Sequence, residues 1–486
     1  MVQGTSSWAG KSLLATALCR HFARRGVRVA PFKAQNMSNN ARVVAGGEIG
    51  TAQYLQALAA EVEPEVRMNP VLVKPEADTR SQVVVHGQVD PEMSARPWRE
   101  RAGALWPLVE TSLRSLLDEY DLVVMEGAGS PAEINLADCD MTNLRSAAAA
   151  DAAVLMVCDV DRGGAFAHLY GTWALLEAEQ RARIGGFILN KFRGDPKLLD
   201  GAPQQLQELT GVPLAGVVPW VRHGLPDEDG VSAPPTVAAR PQKDTLKMPF
   251  CGLGEEAGGR PRVSVVTYPA ASNLDELKPL EQVAELRFAR RPAELGEADL
   301  VILPGSKHVA ADLRWLRESG FETSLWERPS GGARLLGICG GMQMLGNELR
   351  DPAGVDGSAQ GLGLLPLVTT FAPEKLVRRT RARFTPNLPA AWRPLAGEEI
   401  EGYEIRHGHT STSGQAEEAV EGGLGWAYGR VLGISLHGLF ECPNLVAALL
   451  GTAAPRSLDD ALDELADAVV PALDLKLVER LAGVSP

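Results

Sequence analysis

GTSSWAGKS, residues 4–12, decides the fold of the N-terminal half, because it runs from a glycine- and serine-rich loop into the helix-forming sequence LLATALCRHFARRG. The N-terminus of a helix presents free N–H groups and a partial positive charge, which suits a phosphate. Gly10 lets the backbone approach closely, Lys11 reaches the terminal phosphates, and the Ser12 hydroxyl can bind Mg²⁺. The stretch therefore predicts a nucleotide-phosphate site.

The spacing of this loop is unusual. Five residues separate Gly4 from Gly10, whereas the common phosphate-binding motif has four. A turn that caps an ordinary helix is therefore an alternative interpretation. Only residues 1–3 precede the loop, although such loops normally follow a full strand, so we expect the given start to have lost part of that strand.

Length and composition restrict the class of protein. A chain of 486 residues is too long for one hydrophobic core, and 45% hydrophobic with 22% charged residues is typical of a soluble globular protein. With no apolar run near ~18 residues and no signal-peptide pattern, we predict a cytoplasmic protein without membrane contact. The net charge of -13 argues against nucleic acid as a partner. The six cysteines form no C-x-x-C pair, so no zinc site or disulfide framework is predicted.

Pattern changes along the chain predict its domains. Short apolar runs alternate with helix-period segments over residues 1–224, which is typical of an α/β domain with a buried parallel sheet. Residues 225–260 are rich in Pro, Gly and charge and predict a linker. A second α/β domain is expected over residues 261–447. Residues 448–486 predict a helical C-terminal tail with one or two amphipathic helices.

Two polar segments follow predicted strands of the first domain, KAQNMSNN at residues 33–40 and EGAGSPAEINLADCD at residues 126–140. Ligand groups gather at the carboxyl ends of strands in α/β sheets. Glu126 would suit Mg²⁺, which takes one or two carboxylates beside substrate phosphates, although a solvated loop carboxylate is the alternative. Asp138 and Asp140 are candidate substrate contacts, and a plain loop role stays open for both.

A reactive cysteine is predicted in LLGICGGMQMLG, residues 335–346. Glycines bracket Cys339 between an apolar strand and a helical run, as in a nucleophile elbow. The tight turn exposes the sulfur, and the helix N-terminus stabilises a thiolate. The N–H of Gly340 would supply an oxyanion hole, with Gly305 of LPGSKH as a second donor. A buried structural cysteine and an ordinary Pro-Gly turn are the alternatives.

A nucleophilic cysteine needs a base. His437 in GISLHGLFE lies just beyond a strand-like run and far along the chain, as catalytic partners commonly do. His407 and His409 in YEIRHGHT compete for the role, or are polar residues near the site. His437 is the candidate we prefer.

Dense motifs over residues 1–443 resemble the cobyric acid synthases, of the CobB/CobQ family. The strings that carry the resemblance include KAQNMSNN, EGAGSPAEINL and DVDRGGAFAHLYGTWALLE in the first half, and LPGSKH, GICGGMQMLG and HGLFE in the second. The resemblance implies a domain similar to dethiobiotin synthetase, whose phosphate loop has the same five-residue gap, joined to a class I glutamine amidotransferase.

The resemblance also implies an activity. Such enzymes amidate the b, d, e and g carboxylates of adenosylcobyrinic acid a,c-diamide, with one ATP and one glutamine for each, in cobalamin biosynthesis. The expected cofactors and partners are ATP, Mg²⁺, glutamine and the corrinoid, without a prosthetic group. By the same resemblance Cys339 is the nucleophile, His437 the base, Lys33 a phosphate contact and Glu126 a metal ligand.

Several positions depart from the family pattern. Trp8 stands where a small or acidic residue is usual, and residues 272–280 match only loosely. Many class I glutaminases have a carboxylate two residues after the histidine, but here Leu439 occupies that position and Glu441 lies four residues on. The group that orients His437 is therefore not assigned by sequence.

Three other functions are alternatives to this activity. A sister enzyme that amidates the a and c side chains of the same ring shares both domains but matches these motifs less well. A non-catalytic nucleotide-binding regulator would be expected to lack Cys339, His437 or Lys11, and all three are present. A dethiobiotin synthetase alone leaves the second half unexplained.

Overall fold

The structure is a computed structural model that describes residues 1–77, 80–226 and 259–484. The chain divides into two compact units. The described part of the first unit comprises residues 1–77, 80–226 and 457–484, and that of the second unit comprises residues 259–456. Most of the predicted linker, residues 227–258, lies outside the described residues. Among the helices that are described, none is both long and apolar enough to span a bilayer.

The first unit is built on parallel strands, as predicted. Val2–Gly4 pairs with Val154–Asp159, which is followed across the sheet by Ile184–Phe192 and Leu214–Pro219. A parallel bridge between Val2 and Glu126 connects this sheet to a strand pair. That pair consists of Val29–Phe32 and Leu122–Met125. Fully buried parallel strands read as continuous apolar runs, which is why VVM and VLMVC were recognisable in the sequence.

The segments that connect the strands contain helices, which pack against this sheet. The helix Lys11–Arg24 follows the phosphate loop and buries Leu14, Leu18 and Phe22. The other helices and 3₁₀ turns of the first unit before the tail are Thr51–Ala59, Val66–Met68, Pro91–Ala95, Trp98–Glu119, Ala137–Cys139, Leu144–Ala149, Ala165–Leu175, Ala178–Ala182, Pro196–Leu199 and Ala202–Thr210.

A smaller sheet and a hairpin complete the first unit. Four strands form this sheet in the order Gln35–Met37, Val71–Ala77, Arg80–Val85 and Gln88–Val89. The hairpin pairs Ala41–Val44 with Gly47–Gly50. Thus KAQNMSNN opens an accessory β-layer rather than a simple loop.

The predicted helical tail, residues 448–486, is divided between the units: residues 448–456 belong to the second unit, and the segment from Ser457 onward belongs to the first. Its helices are Leu458–Val469 and Leu475–Ala482, with a 3₁₀ turn at Val470–Ala472 between them. Their apolar faces enter the same core as Leu14 and Val157. Arg20, on the phosphate-loop helix, donates hydrogen bonds to Asp459 and Asp463 of the tail. The sequence pattern found these helices but did not show where they pack.

The second unit contains a seven-stranded sheet. Its parallel strands come first, in the order Glu285–Ala289, Arg262–Val266, Leu300–Leu303, Arg334–Ile338 and Val431–Ile434. Gly425–Tyr428 and Glu417–Val420 continue the sheet in antiparallel fashion. Its core strands are the predicted apolar runs around ILPG and LLGIC, and both end at residues of the candidate site.

Further elements surround this sheet. A four-stranded sheet contains the long hairpin Leu367–Arg383 and Glu399–Thr412, with Glu348–Arg350 and Ala359–Gln360 beside it. Ala271–Ser272 pairs with Gly305–Ser306. The helices and 3₁₀ turns are Leu274–Leu277, Leu280–Val283, Pro292–Leu295, Val309–Glu318, Phe321–Ser330, Gly340–Leu345, Ala390–Leu395, Leu439–Glu441 and Pro443–Leu450.

Candidate functional sites

The phosphate loop has the backbone geometry that the sequence predicts. Gly10 precedes the first helix with φ of 94°, a left-handed conformation that favours glycine. A Cβ atom at this position would lie 2.0 Å from Nδ2 of Asn190, which donates to the carbonyl of Ala9 at 2.8 Å. Asn190 thus fixes the loop at the point where glycine is required, and sequence reasoning missed this residue.

Lys11 joins two loops at the carboxyl ends of neighbouring strands. Its Nζ donates to the carbonyl of Ser6 at 3.0 Å and to that of Gly129 at 3.2 Å. These carbonyls belong to the phosphate loop and to the loop after Leu122–Met125. The ammonium of Lys11 is therefore held at the edge of the sheet where the phosphate site was predicted.

Glu126 is the centre of a buried polar cluster, not a solvated loop carboxylate. It is 1% exposed. Its Oε1 accepts from Ser12 Oγ and from Lys33 Nζ, each at 2.6 Å, and its Oε2 accepts from Gln56 Nε2 at 2.6 Å. Burial alone would raise the pKa of Glu126, but the Lys33 ammonium and the hydrogen bonds from Ser12 and Gln56 hold it below its usual range. The structure thus brings together three residues predicted separately.

The donor set at Glu126 suits Mg²⁺. Ser12 supplies a hydroxyl oxygen and Glu126 a carboxylate, and both are hard oxygen ligands beside a helix N-terminus that favours phosphate. No group of three or more His, Cys, Asp or Glu side chains in the described part of the chain could form an all-protein metal cage. Mg²⁺ characteristically binds through one or two carboxylates and substrate phosphates instead.

Asp138 and Asp140, the candidate substrate contacts, have local partners. Asp138 has a largely exposed side chain that lies 3.6 Å from Arg99. Asp140 Oδ1 accepts from the backbone N–H groups of Thr142 and Asn143 at 2.9 and 2.7 Å. Burial raises the pKa of Asp140. The structure therefore gives Asp140 a capping role in the loop.

A second polar link fixes the phosphate loop. Trp8 has φ of 64° and a half-exposed side chain, and its carbonyl accepts from Lys191 Nζ at 2.7 Å. The same ammonium lies 2.9 Å from Asp159, at the end of a central strand. Trp8 departs from the family pattern in its side chain, but its contact with Lys191 is made by its backbone carbonyl and does not depend on that side chain.

Cys339 lies at a strained turn between the strand Arg334–Ile338 and the helix Gly340–Leu345. Its φ of 50° and ψ of -108° are rare for a residue with a side chain, and such strain clusters at active sites. Gly341 is required in the turn, because a Cβ atom there would lie 1.9 Å from the carbonyl of Leu303. The geometry is that of a nucleophile elbow.

His437 lies in reach of Cys339. The two groups interact electrostatically, and the Cys339 thiol lies 3.6 Å from the carbonyl of Ile405. Burial alone would lower the pKa of His437, but the negative charge of Glu276 and the interaction with Cys339 raise it to about 10. Cys339 is 7% exposed and lies among apolar core residues, so the turn does not expose the sulfur as the sequence predicted, because the surrounding core covers it. The predicted base nevertheless lies beside it.

The predicted oxyanion donors flank this pair. A Cβ atom on Gly305 would lie 2.9 Å from Cε1 of His437, and one on Gly340 would lie 2.7 Å from the backbone N of Ser306. The backbone of residues 305–306 therefore packs directly against the elbow and the imidazole. Gly340 opens the helix, where N–H groups lack partners within the helix.

The competing histidines lie on the long hairpin of the second unit. His407 Nδ1 lies 3.2 Å from the carbonyl of Ala372 on the opposite strand. His409 faces Thr370 in the strand register. Their positions agree with the alternative of polar residues on a strand near the site.

Glu276 is the residue of this site that sequence reasoning missed. It is fully buried, with Oε1 2.9 Å from His437 Nδ1 and Oε2 accepting from the N–H of Gly438 at 2.7 Å. It lies in SNLDELKPL, the string noted only for its loose match to the family. A carboxylate in that string was a signal, but its proximity to His437 required the fold.

Family models match both units. Residues 1–224 match the CobQ/CobB/MinD/ParA nucleotide binding domain, and residues 262–445 match the CobB/CobQ-like glutamine amidotransferase domain. These domains and the two sites define an ATP-using ligase that forms amides with nitrogen taken from glutamine.

Whole-chain relatives give the family. The cobyric acid synthase of Polaromonas sp. is 53% identical and covers 96% of this chain and 95% of its own length. Those of Variovorax paradoxus and Paracidovorax citrulli are 54% and 55% identical, each covering 96% of this chain and 95% and 96% of their own lengths. The chain belongs to the cobyric acid synthase family.

Proposed function

We propose that this chain amidates the b, d, e and g carboxylates of adenosylcobyrinic acid a,c-diamide, with glutamine as nitrogen donor, to give adenosylcobyric acid. Each carboxylate takes the terminal phosphoryl group of ATP and becomes an acyl phosphate, and ammonia then displaces the phosphate. Relatives that match nearly the whole chain at 51–55% identity carry the name cobyric acid synthase, which favours this substrate over the a and c carboxylates.

The observation that carries the proposal is the pairing of Cys339, at a strained elbow, with the buried imidazole of His437. His437 holds the proton that the Cys339 thiol gives up, and Sγ attacks the side-chain amide carbon of glutamine. The developing oxyanion lies toward the N–H groups of Gly340 and Gly305. The C–N bond then breaks, and His437 gives its proton to the departing ammonia. Water hydrolyses the resulting thioester to glutamate and restores the thiol.

The first unit activates the carboxylate. Lys11 and Ser12 bind the ATP phosphates at the helix N-terminus, and Lys33 is a further phosphate contact. Ser12 and Glu126 would hold Mg²⁺, which supplies positive charge that neutralises the phosphate oxygens when it is bound. Phosphoryl transfer depends chiefly on positioning and charge, and these buried, hydrogen-bonded residues are suited to that task.

The test separates the two halves of the reaction. Cys339→Ala should lower glutamine-supported amidation by about a thousandfold or more, because the nucleophile is removed. Amidation supported by ammonium salts should persist, since ammonia needs no thiol. The products are followed by mass spectrometry as a ladder of species in which OH is replaced by NH₂. A variant that still uses glutamine fully would refute the role of Cys339, and failure of the diamide to react would refute the substrate.

A further inference from the structure

The group that orients His437 comes from an unexpected part of the chain. In many class I glutaminases a carboxylate two residues after the histidine performs this task, but Leu439 stands there in this chain. Glu276 lies 161 residues before His437 in sequence, on the 3₁₀ turn Leu274–Leu277. Both of its carboxylate oxygens face the segment that contains the histidine.

We propose that Glu276 is the positioning residue of the glutaminase site, holding the imidazole of His437 in the tautomer and orientation that serve Cys339. The inference rests on the proposed roles of Cys339 and His437. A carboxylate only accepts hydrogen bonds, so its contact with Nδ1 requires the proton to be on that nitrogen. The second ring nitrogen, Nε2, is then the one that exchanges a proton with the thiol, as in other triads.

The two contacts of Glu276 constrain each other. The N–H of Gly438 can only donate, and it donates to Oε2 at 2.7 Å. This bond fixes the plane of the carboxylate next to the histidine, so that Oε1 is presented to Nδ1. The carboxylate is fully buried, and a charge there is stabilised only through such partners.

The imidazole is held from its other faces as well. The ring of Tyr403 stacks on that of His437, with centroids 5.3 Å apart and planes inclined by 17°. The backbone of Tyr403 pairs with that of His437, and its hydroxyl accepts from Asn273 Nδ2 at 3.1 Å. Asn273 immediately precedes the turn that bears Glu276, in a left-handed conformation with φ of 55°. The turn and the histidine are thus fixed against the same tyrosine.

The charged and titratable groups described against the imidazole are Glu276, Cys339 and Tyr403. An imidazolium donates from both nitrogens and needs an acceptor for each. Glu276 accepts from Nδ1. Cys339, which also interacts with the imidazole, is the group left for the other nitrogen. This arrangement favours an imidazolium in the resting site, ready to protonate the departing ammonia.

Glu276→Gln is the decisive variant, because it keeps the volume of the side chain and its bond to Gly438. The N–H of Gly438 requires the amide oxygen, which turns the NH₂ group toward His437 Nδ1. Nδ1 must then accept, and the proton moves to Nε2, the wrong tautomer for the thiol. We expect glutamine hydrolysis to fall by about 10²–10⁴-fold, the range of general acid–base catalysis. Ammonium-supported amidation should be unchanged.

Two companion variants control the result. Glu276→Asp retains a carboxylate and should restore part of the glutaminase activity that the isosteric amide loses. Glu281→Gln makes the same chemical change on the next helix, where the side chain is partly exposed and pairs with Lys278 at 3.0 Å, and should behave as wild type. Wild-type glutaminase activity in Glu276→Gln would overturn the inference.

A measurement on the unmodified enzyme covers the case in which Glu276→Gln does not fold. The measurement is nitrogen NMR of the histidine rings as a function of pH. The signals of His437 are identified as those missing from His437→Gln, and they should show a protonated ring well above neutral pH. A ring that titrates at its ordinary value would overturn the inference. The proposed function has its own test. Full use of glutamine by Cys339→Ala would refute the proposed function, whereas the behaviour of Glu276→Gln bears only on the role of Glu276.

Discussion

The ammonium of Lys33 lies 2.6 Å from a carboxylate oxygen of Glu126, and the two side chains are 8% and 1% exposed. The pair links the end of Val29–Phe32 to the end of Leu122–Met125, the strands that pair at this edge of the first unit. Ser12 donates to the same carboxylate oxygen. A single buried carboxylate therefore connects the phosphate-loop helix with the neighbouring strand ends.

Breaking this buried pair should destabilise the first unit. Lys33→Met leaves the Glu126 carboxylate without its buried cation, and removing one partner of a buried ion pair typically costs about 3–5 kcal/mol. The free energy of unfolding is measured by denaturant titration. Lys197→Met, which removes an exposed ammonium in the same unit, is the control and should change little. Equal stability of the two variants would contradict a structural role for the pair.

Replacing Lys11 should abolish amidation but spare glutamine hydrolysis, whereas replacing Cys339 should do the reverse and spare ammonium-supported amidation. In Lys11→Met the phosphate loop loses its cation, so amidation should fall sharply with glutamine and with ammonium salts alike. The Cys339 site is untouched, and hydrolysis of glutamine to glutamate should continue. Amidation and glutamate release are measured on the same samples. Normal ammonium-supported amidation would exclude Lys11 from the phosphate site.

The stability of the second unit should fall at alkaline pH. The pKa of His437 is raised from 6.5 to about 10, so between these values the folded protein retains a proton that the unfolded chain releases. The resulting stabilisation is fully present below about pH 6.5. It is lost as the pH rises through 10. Unfolding followed from pH 6.5 to 10 should show a smaller decline in His437→Gln than in wild type. The same decline in both proteins would contradict the raised pKa.

The elbow should not tolerate a methyl group at Gly341. In Gly341→Ala the new Cβ atom would lie 1.9 Å from the Leu303 carbonyl, so the turn that presents Cys339 must shift. We expect a loss of stability of about 1–3 kcal/mol, together with reduced glutamine hydrolysis. Gly331→Ala is the matched control, because its nearest contact would be an ordinary 3.5 Å. The free energy of unfolding and the rate of glutamine hydrolysis are measured for both variants. Equal values for the two variants would contradict the requirement for glycine at position 341.

Local patterns were sufficient for much of the fold and part of the site. The central parallel strands, such as Val154–Asp159 and Leu300–Leu303, are buried on both faces and so appear as apolar runs, while the phosphate loop and the elbow need glycines at fixed offsets. Ser12, Glu126 and Lys33 were each recognisable because they follow strands or open a helix. Their shared contact emerges only when neighbouring strands are placed side by side.

Other features depend on contacts between distant parts of the chain. Glu276 has no spacing relationship to His437 and lies in a weakly matching string, so only the folded structure brings the two together. The same holds for Asn190 against the phosphate loop, because it lies 181 positions after Ala9 in sequence. The tail helices are visible from their amphipathic period, but an apolar face does not say which core it joins.

The return of the chain to the first unit after Arg456 makes that unit discontinuous in sequence. During synthesis, the N-terminal segment leaves the ribosome long before the residues from Ser457 onward that complete its core. The nucleotide-binding half can therefore reach its final fold only after the residues from Ser457 onward have been synthesised. A fragment that stops after residue 226 would expose the apolar surface that the helices Leu458–Val469 and Leu475–Ala482 cover. Dividing this protein between two genes would therefore require these helices to remain with the nucleotide-binding half.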